Sequence, residues 1–304
     1  MKAYPLIYSR TKYIDFVPDF LARPDNIDYI LANRFTKTAM SQLEMIGKIR
    51  YAIFPVEKYV CMGIAASTKT IVEAINSRNS NYINQHPDID EYLKDTKGRK
   101  TNCFIGLAIP ISEIASNKVP DITLEEYMDM YLDYLKHQWN NEDKTESETL
   151  KEAPLDIREK NYNPSFSLDF ETIGEKKIVK NYESNESSVI SYYFHIIAEG
   201  KNESFVTDIN DRNEWNNMLF TSAVVDKNLL PSLKSNPTVQ KRESVSKLKK
   251  ADDDVIIKRT SVVSPSETKD FKTEDIKKKT PSSLMLAVAA AIIIAVVVLI
   301  VAIL

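Results

Sequence analysis

The chain is poor in the residues that usually announce a chemistry. Among 304 residues it has two cysteines, Cys61 and Cys103, and three histidines, His86, His137 and His195. Two cysteines in apolar runs build no disulfide framework, so free buried thiols in a reducing compartment are expected. The histidines are widely spaced and neither cysteine has a partner at metal-ligand spacing, so no metal site is expected. His195 lies in an apolar run and reads as a hydrogen-bonded core histidine. A Cys103–His195 pair would need tertiary contact, since nothing local supports it. His86-Pro-Asp88-Ile-Asp90-Glu91 offers carboxylates in a polar stretch, where a solvated acidic face is the plain reading. GxSxG, HExxH and GxGxxG are all missing. No catalytic or cofactor-binding residue is therefore nominated, and no cofactor is expected.

Glycine is scarce too, with six in the chain and none after Gly200. One glycine begins a near match to a phosphate-binding loop, Gly63-Ile-Ala-Ala-Ser-Thr-Lys69-Thr70. Thr68 stands where the second glycine should be, and a β-branched residue suits that wrapped backbone poorly. A strand-to-helix turn with an exposed lysine is the simpler reading. The N-terminus lacks the apolar core of a signal peptide, so none is expected.

What the chain does have is an apolar run at its end. Leu284 to Leu304 carries no charge, polar side chain, Gly or Pro. As a helix it would span about 31 Å, matching a hydrocarbon core of ~30 Å. Fourteen of its residues are Leu, Ile or Val. At roughly −0.3 to −0.6 kcal/mol each, they favour insertion by about 4 to 8 kcal/mol. A core helix of a soluble domain would need a polar face. A single transmembrane helix over 282–304 is therefore expected, with the lipid bilayer as its partner. Lys277, Lys278 and Lys279 precede it and would meet anionic lipid head groups. The positive-inside rule then keeps the preceding part in the cytoplasm, and an anchor at the very end implies post-translational insertion.

From Asp226 to Pro281 there are 14 Lys/Arg against 9 Asp/Glu, leaving 26 against 34 elsewhere. An acidic body on a basic, Ser-, Lys- and Thr-rich tether is expected, with the tether over 226–281 disordered. An acidic body argues against a nucleic-acid partner.

The body reads as α+β, with a mixed or antiparallel sheet and helices. Residues 1–142 form an α+β domain or the first half of one, 143–160 an acidic linker or loop, and 161–225 a mainly antiparallel β part with a closing helix. In the first part, strands are expected over Ala3–Ser9, Tyr51–Val56, Tyr59–Ala66 and Thr101–Ile109. Helices are expected over Ile27–Ile46, from Thr68, and from Thr123, where Thr123 and Glu126 make a capping box. The Tyr- and Met-rich stripe of that last helix reads as core or as a partner-facing groove. Asn76–Asp90 reads as an exposed loop and Asp95–Arg99 as a turn at Gly98. In the second part, strands are expected over Ser165–Thr172, Lys176–Tyr182, Val189–Ala198 and Glu203–Ile209, and a helix over Asp211–Val225.

The function that fits is a tail-anchored, single-pass membrane protein whose cytoplasmic domain binds a protein partner at the membrane surface. One alternative is a membrane-acting effector or sensor of the kind used in bacterial self-defence, with Ala287, Ala291 and Ala295 as a modest helix-packing face. A second is a membrane-tethered enzyme without a recognisable motif. A vesicle-fusion protein is excluded, because no heptads precede the anchor.

Overall fold

Two strands whose residues are all buried except Pro110 set the centre of the molecule, Tyr59–Ser67 and Asn102–Pro110. The computed structural model describes residues 1–15, 20–142 and 154–235. The 143–153 stretch, residues 236–281 of the expected tether and Leu284–Leu304 lie outside these residues, whereas 226–235, expected as the start of a disordered tether, belong to the folded part, with a helix over Leu230–Ser235 and Leu229 and Leu233 buried in the core. Among the described residues no helix is long and apolar enough to cross a membrane.

The strands are β1 (Lys2–Ser9), β2 (Arg50–Val56), β3 (Tyr59–Ser67), β4 (Asn102–Pro110), β5 (Lys118–Pro120), β6 (Leu155–Asp156), β7 (Glu159–Asn161), β8 (Phe170–Ile173), β9 (Lys176–Val179), β10 (Phe205–Ile209) and β11 (Ser222–Val225). The helices are α1 (Tyr29–Ala39), α2 (Leu43–Ile46), α3 (Thr68–Asn76), α4 (Tyr82–Gln85), α5 (Leu124–Gln138), α6 (Tyr182–Ala198), α7 (Arg212–Asn217) and α8 (Leu230–Ser235). Nine strands form one mixed sheet in the order β6-β1-β4-β3-β2-β10-β11-β9-β8, and β5 pairs with β7. The residues from 1 to 235 are thus an α+β fold in which strands from both halves of the body share a sheet.

Alternation along each strand sorts its side chains to two faces. Val60, Met62, Ile64, Cys103, Ile105 and Leu107 pack on one face with α3, α5 and α6. Tyr59, Cys61, Phe104 and Ala108 pack on the other with α1, Trp215 of α7 and Leu233 of α8. Helices on both faces explain why β3 and β4 are continuous apolar runs. Pro5 is tolerated in β1 because that edge is paired only at Lys2 and Ala3, by β6, and at Ile7, by Leu21 and Ala22, so no donor is needed at Pro5.

Gly63 of β3 pairs directly with Gly106 of β4. The Phe104 ring lies over both. A Cβ at Gly63 would come within 2.5 Å of the Ile105 carbonyl oxygen and 2.6 Å of the Gly106 Cα. Two of six glycines are thus spent so that the backbones can carry an aromatic ring across the sheet centre.

The capping box forms as expected. The Glu126 amide donates to Thr123 Oγ1 at 3.2 Å, and the Thr123 amide donates to Glu126 Oε2 at 2.7 Å. The turn at Asp95–Arg99 also forms, with Gly98 at φ +75. Other expectations need correction. The helix over Ile27–Ile46 is broken. Asp28 rather than an earlier residue caps α1, and Gln42 turns into the left-handed region before the single turn of α2. Asn76–Asp90 is partly ordered as α4, because Tyr82 and Ile89 find room in the core. The strand over Ser165–Thr172 shrinks to β8, which starts only at Phe170.

The largest correction falls on Val189–Ala198, which is helix rather than strand. Its β-branched and aromatic content suits either state, and periodicity cannot separate them in so short an apolar run. In α6 the buried residues Val189, Tyr193, Phe194 and Ile197 fall at helical spacing. Likewise Asp211–Val225 is not one helix. Asp211 caps the short α7, and Ser222–Val225 inserts as β11 between β10 and β9. That insertion makes β10, β11 and β9 mutually parallel where antiparallel hairpins were expected. The unit β9-α6-β10-α7-β11 has α6 on one face and α7 on the other.

Replacing Gly63 by Ala is expected to destabilise the fold by about 1–3 kcal/mol, because the added methyl meets backbone rather than a mobile side chain. A lowered urea midpoint at unchanged slope would be the readout.

Candidate ligand cleft

Three short runs end alike in sequence: Val179-Lys180-Asn181, Ile209-Asn210-Asp211 and Val225-Asp226-Lys227-Asn228. They are the carboxyl ends of β9, β10 and β11, and the sheet brings them side by side. Between them lies a cleft of about 780 Å³. Ligands in sheets of this kind bind outside the carboxyl ends of parallel strands, where connections leave for opposite faces.

Behind one residue of the cleft, Asp208, lies a buried cation. Arg50, at the start of β2, is fully buried. Its Nη1 donates to the Ala39 carbonyl at 2.9 Å, the Ser41 carbonyl at 3.0 Å and Glu214 Oε1 at 2.7 Å. Its Nη2 donates to the Asp208 carbonyl at 2.8 Å. The Ser41 hydroxyl also donates to Glu214 Oε1. Asp208 sits at φ +58, where the pairing of β10 with β11 slips between Val206 and Ile209. This is a β-bulge with a left-handed residue, and Asp is one of the few side chains that tolerates it. Its carbonyl goes to Arg50, and its carboxylate lines the cleft 3.8 Å from Lys48 Nζ.

The second wall is the start of α6. Asn181 does not cap the helix with its side chain. Instead its carbonyl accepts from Asn185 Nδ2 at 3.1 Å, and Asn185 leaves helical geometry and kinks the helix. Tyr182 lines the cleft and is only 8% exposed, yet its hydroxyl has no hydrogen-bond partner. Burial pushes that hydroxyl's pKa upward, and the charges of Glu186, Tyr51 and Asp208 add to the effect. Lys180 pairs with half-buried Glu171 at 3.7 Å, and Lys227 pairs with exposed Glu183 at 3.2 Å. Ile178, Val224 and Leu230 also line it, Ile178 and Leu230 packing on the α7 face of the sheet and Val224 on the α6 face.

The residues singled out in the sequence lie elsewhere. Gly63 is in mid-strand and α3 begins at Thr68 directly after β3, so no loop exists there to wrap a phosphate. Ser67 Oγ caps α3 by accepting from the Thr70 amide, and Lys69 pairs with Glu73 at 3.5 Å. Cys103 donates to the Ala66 carbonyl, whereas His195, on α6 rather than a strand, pairs with Glu199 at 3.1 Å and stacks on Tyr162. The structure records no contact between Cys103 and His195. His86 Nε2 lies 3.2 Å from Asp129, which also accepts from the Tyr82 hydroxyl at 2.7 Å. His137 is exposed in the last turn of α5. Asp88 pairs with Lys136 and Glu91 with Lys12. Among the described residues no His, Cys, Asp and Glu group could hold a metal. The tyrosines of α5 point into the core, and Tyr131 shares a hydrogen bond with Ser9 Oγ at 2.7 Å. None of these readings pointed to the cleft. Its only signal was the threefold pattern of a β-branched run followed by Asn or Asp.

No family model, curated protein or solved structure matches the chain.

Two outcomes follow. Arg50→Met alone should cost about 3–5 kcal/mol, because Glu214 is left charged and buried, while Arg50→Met with Glu214→Leu should recover most of it. Urea melts of the two singles and the double form the cycle that checks this. Burial pushes the Cys103 thiol up to about 12 and raises that of Cys61 as well. In native protein at pH 8 both should resist a thiol reagent, reacting only at the rate of unfolding measured in parallel by circular dichroism.

Proposed function

We propose that the chain is a single-pass membrane protein, held by a C-terminal anchor, whose α+β domain faces the cytoplasm and binds a protein partner at the membrane surface. The observation that carries this reading is the uninterrupted apolar run Leu284–Leu304, long enough to span a bilayer as one helix. Lys277, Lys278 and Lys279 support the orientation, since cytoplasmic flanks are rich in Lys and Arg. The acidic balance of the body supports a domain held off an anionic leaflet and free to meet a partner. Ile30 on α1 and Met45 on α2 are 62% and 69% exposed, apolar side chains of the kind a partner surface covers.

Placing a charge in the middle of the run tests the anchor. Ile294→Arg should offset about 2.5–3.5 kcal/mol of the 4 to 8 favouring insertion, and a second arginine at Val297 should remove most of the rest. After cell fractionation, the single variant is expected partly, and the double variant mostly, in the soluble fraction. In cytoplasmic-side-out vesicles, protease should digest the domain. A double variant that stays resistant to carbonate extraction, or a domain protected from protease, would sink the reading.

A further inference from the structure

We propose that the chain beyond Ser235 folds back on its own domain. Residues 255–259, Val255-Ile-Ile-Lys-Arg259, add to the open edge of the sheet as a tenth strand, antiparallel to β8. Three observations carry this: an unpaired edge, the place where the chain leaves the domain, and the match between the two segments.

The strand β8 ends the nine-stranded sheet and pairs with β9 alone. In an antiparallel ladder, hydrogen-bonded and non-bonded pairs alternate. The Lys180 amide donates to the Asp169 carbonyl at 3.0 Å, whereas the Lys177 amide turns the other way, to the Thr221 carbonyl at 2.9 Å. The amides and carbonyls of Phe170 and Thr172 therefore point away from β9, and among the described residues no backbone group meets them. Such a row is a template for another strand, and native edges are usually shielded by charge, proline or a covering loop. This edge instead shows Phe170, 44% exposed, beside exposed Thr172.

The chain leaves the domain at the same place. Lys234 Nζ in α8 lies 2.9 Å from Glu171 Oε1 of β8, and α8 ends at the next residue, Ser235. Val255-Ile-Ile257 is the one run of three aliphatic residues between 236 and 281, and all three are β-branched. A coil of about 20 residues has a root-mean-square span of roughly 25 Å. That keeps the run near its own edge at an effective concentration on the order of millimolar, which a second copy or a separate protein must compete against.

The two segments also match. Glu171 and Ile173 lie on the α7 face of the sheet, and Phe170 and Thr172 on the α6 face. Antiparallel pairing of Glu171 with Lys258 sets Ile256 beside Ile173, Ile257 beside Thr172 and Arg259 beside the Phe170 ring. These are opposite-charge, apolar, β-branched and cation–ring neighbours. Lys180 and Lys234 already pair with Glu171, but both are about half-exposed, so Lys258 competes with weak contacts. A parallel alignment that keeps Ile256 beside Ile173 would set Asp254 against Glu171. Docking takes up residues 236–259 and leaves 260–281 before the apolar run. An anchored domain would then be held nearer its membrane, and only this consequence rests on the membrane reading.

Hydrogen exchange on the full chain in detergent reads the edge. In the peptide covering β8, two amides should exchange tenfold or more slower than in Ile257→Pro, a change outside the domain that removes one strand donor. A cross-link supplies a second readout, because Cα separations across paired strands suit a disulfide. Thr172→Cys with Ile257→Cys should close an internal disulfide at least tenfold faster than Thr172→Cys with Ser246→Cys. The native Cys61 and Cys103 are buried and stay out of the reaction. Equal exchange in the two chains overturns the proposal, and so do equal cross-linking rates. A cross-link that forms only between molecules, rising with concentration, overturns it in favour of a second copy. Neither readout needs a bilayer, so loss of the anchor reading in the fractionation experiment would leave this result standing.

Discussion

A guanidinium group in the core of a protein is tolerable only when its surroundings replace the water it has lost. Arg50 meets most of that demand through its two terminal nitrogens, with acceptors drawn from the end of α1, from Ser41 beyond it, from Glu214 on α7 and from Asp208 at the bulge of β10, while its Nε and Glu214 Oε2 are buried without a partner. Desolvating such a pair costs several kcal/mol per ion, so the contacts repay this only if all of them form together. That condition ties four chain segments to one point. Two of them are weakly held on their own: α7 has six residues, and β10 pairs with β2 through only two residues. The guanidinium therefore does at the seam what a longer ladder would otherwise do.

The seam joins two styles of construction. On one side β1, β4, β3 and β2 run antiparallel, with the Gly63–Gly106 pair letting Phe104 lie flat across the centre. On the other, β10, β11 and β9 run parallel, with α6 and α7 crossing on opposite faces. Antiparallel neighbours need only tight turns, whereas parallel neighbours need crossovers, and those crossovers begin at one end of the strands. The cleft is a consequence of that geometry. It opens where helices leave for opposite faces, and Arg50 holds the backbone of one of its residues, Asp208.

The same arrangement connects the cleft to the end of the domain. Leu230, which lines the cleft, opens α8, and α8 closes the described chain at Ser235.

Much of the fold was legible locally. The buried runs of β3 and β4 and the capping box of α5 are set by composition and short-range hydrogen bonding, and they stand where the residues put them. Val189–Ala198 was not legible, because ten mostly β-branched and aromatic residues satisfy a strand or a buried helix equally well until a neighbour supplies a face to pack on. Ser222–Val225 failed for a related reason. Four residues make a strand only when a gap between two others offers them hydrogen bonds on both sides. The cleft was hidden further still, since Lys48, Asp208, Tyr182 and Asp226 come from four separate stretches and share no spacing. By itself the sequence determined the burial of the central strands, the capping box of α5 and the apolar character of Leu284–Leu304, because each depends on residues close in the chain. Only the tertiary structure decided which strands run parallel, where Arg50 finds its acceptors and which side chains meet in the cleft. Those depend on contacts between segments whose sequences carry no record of one another.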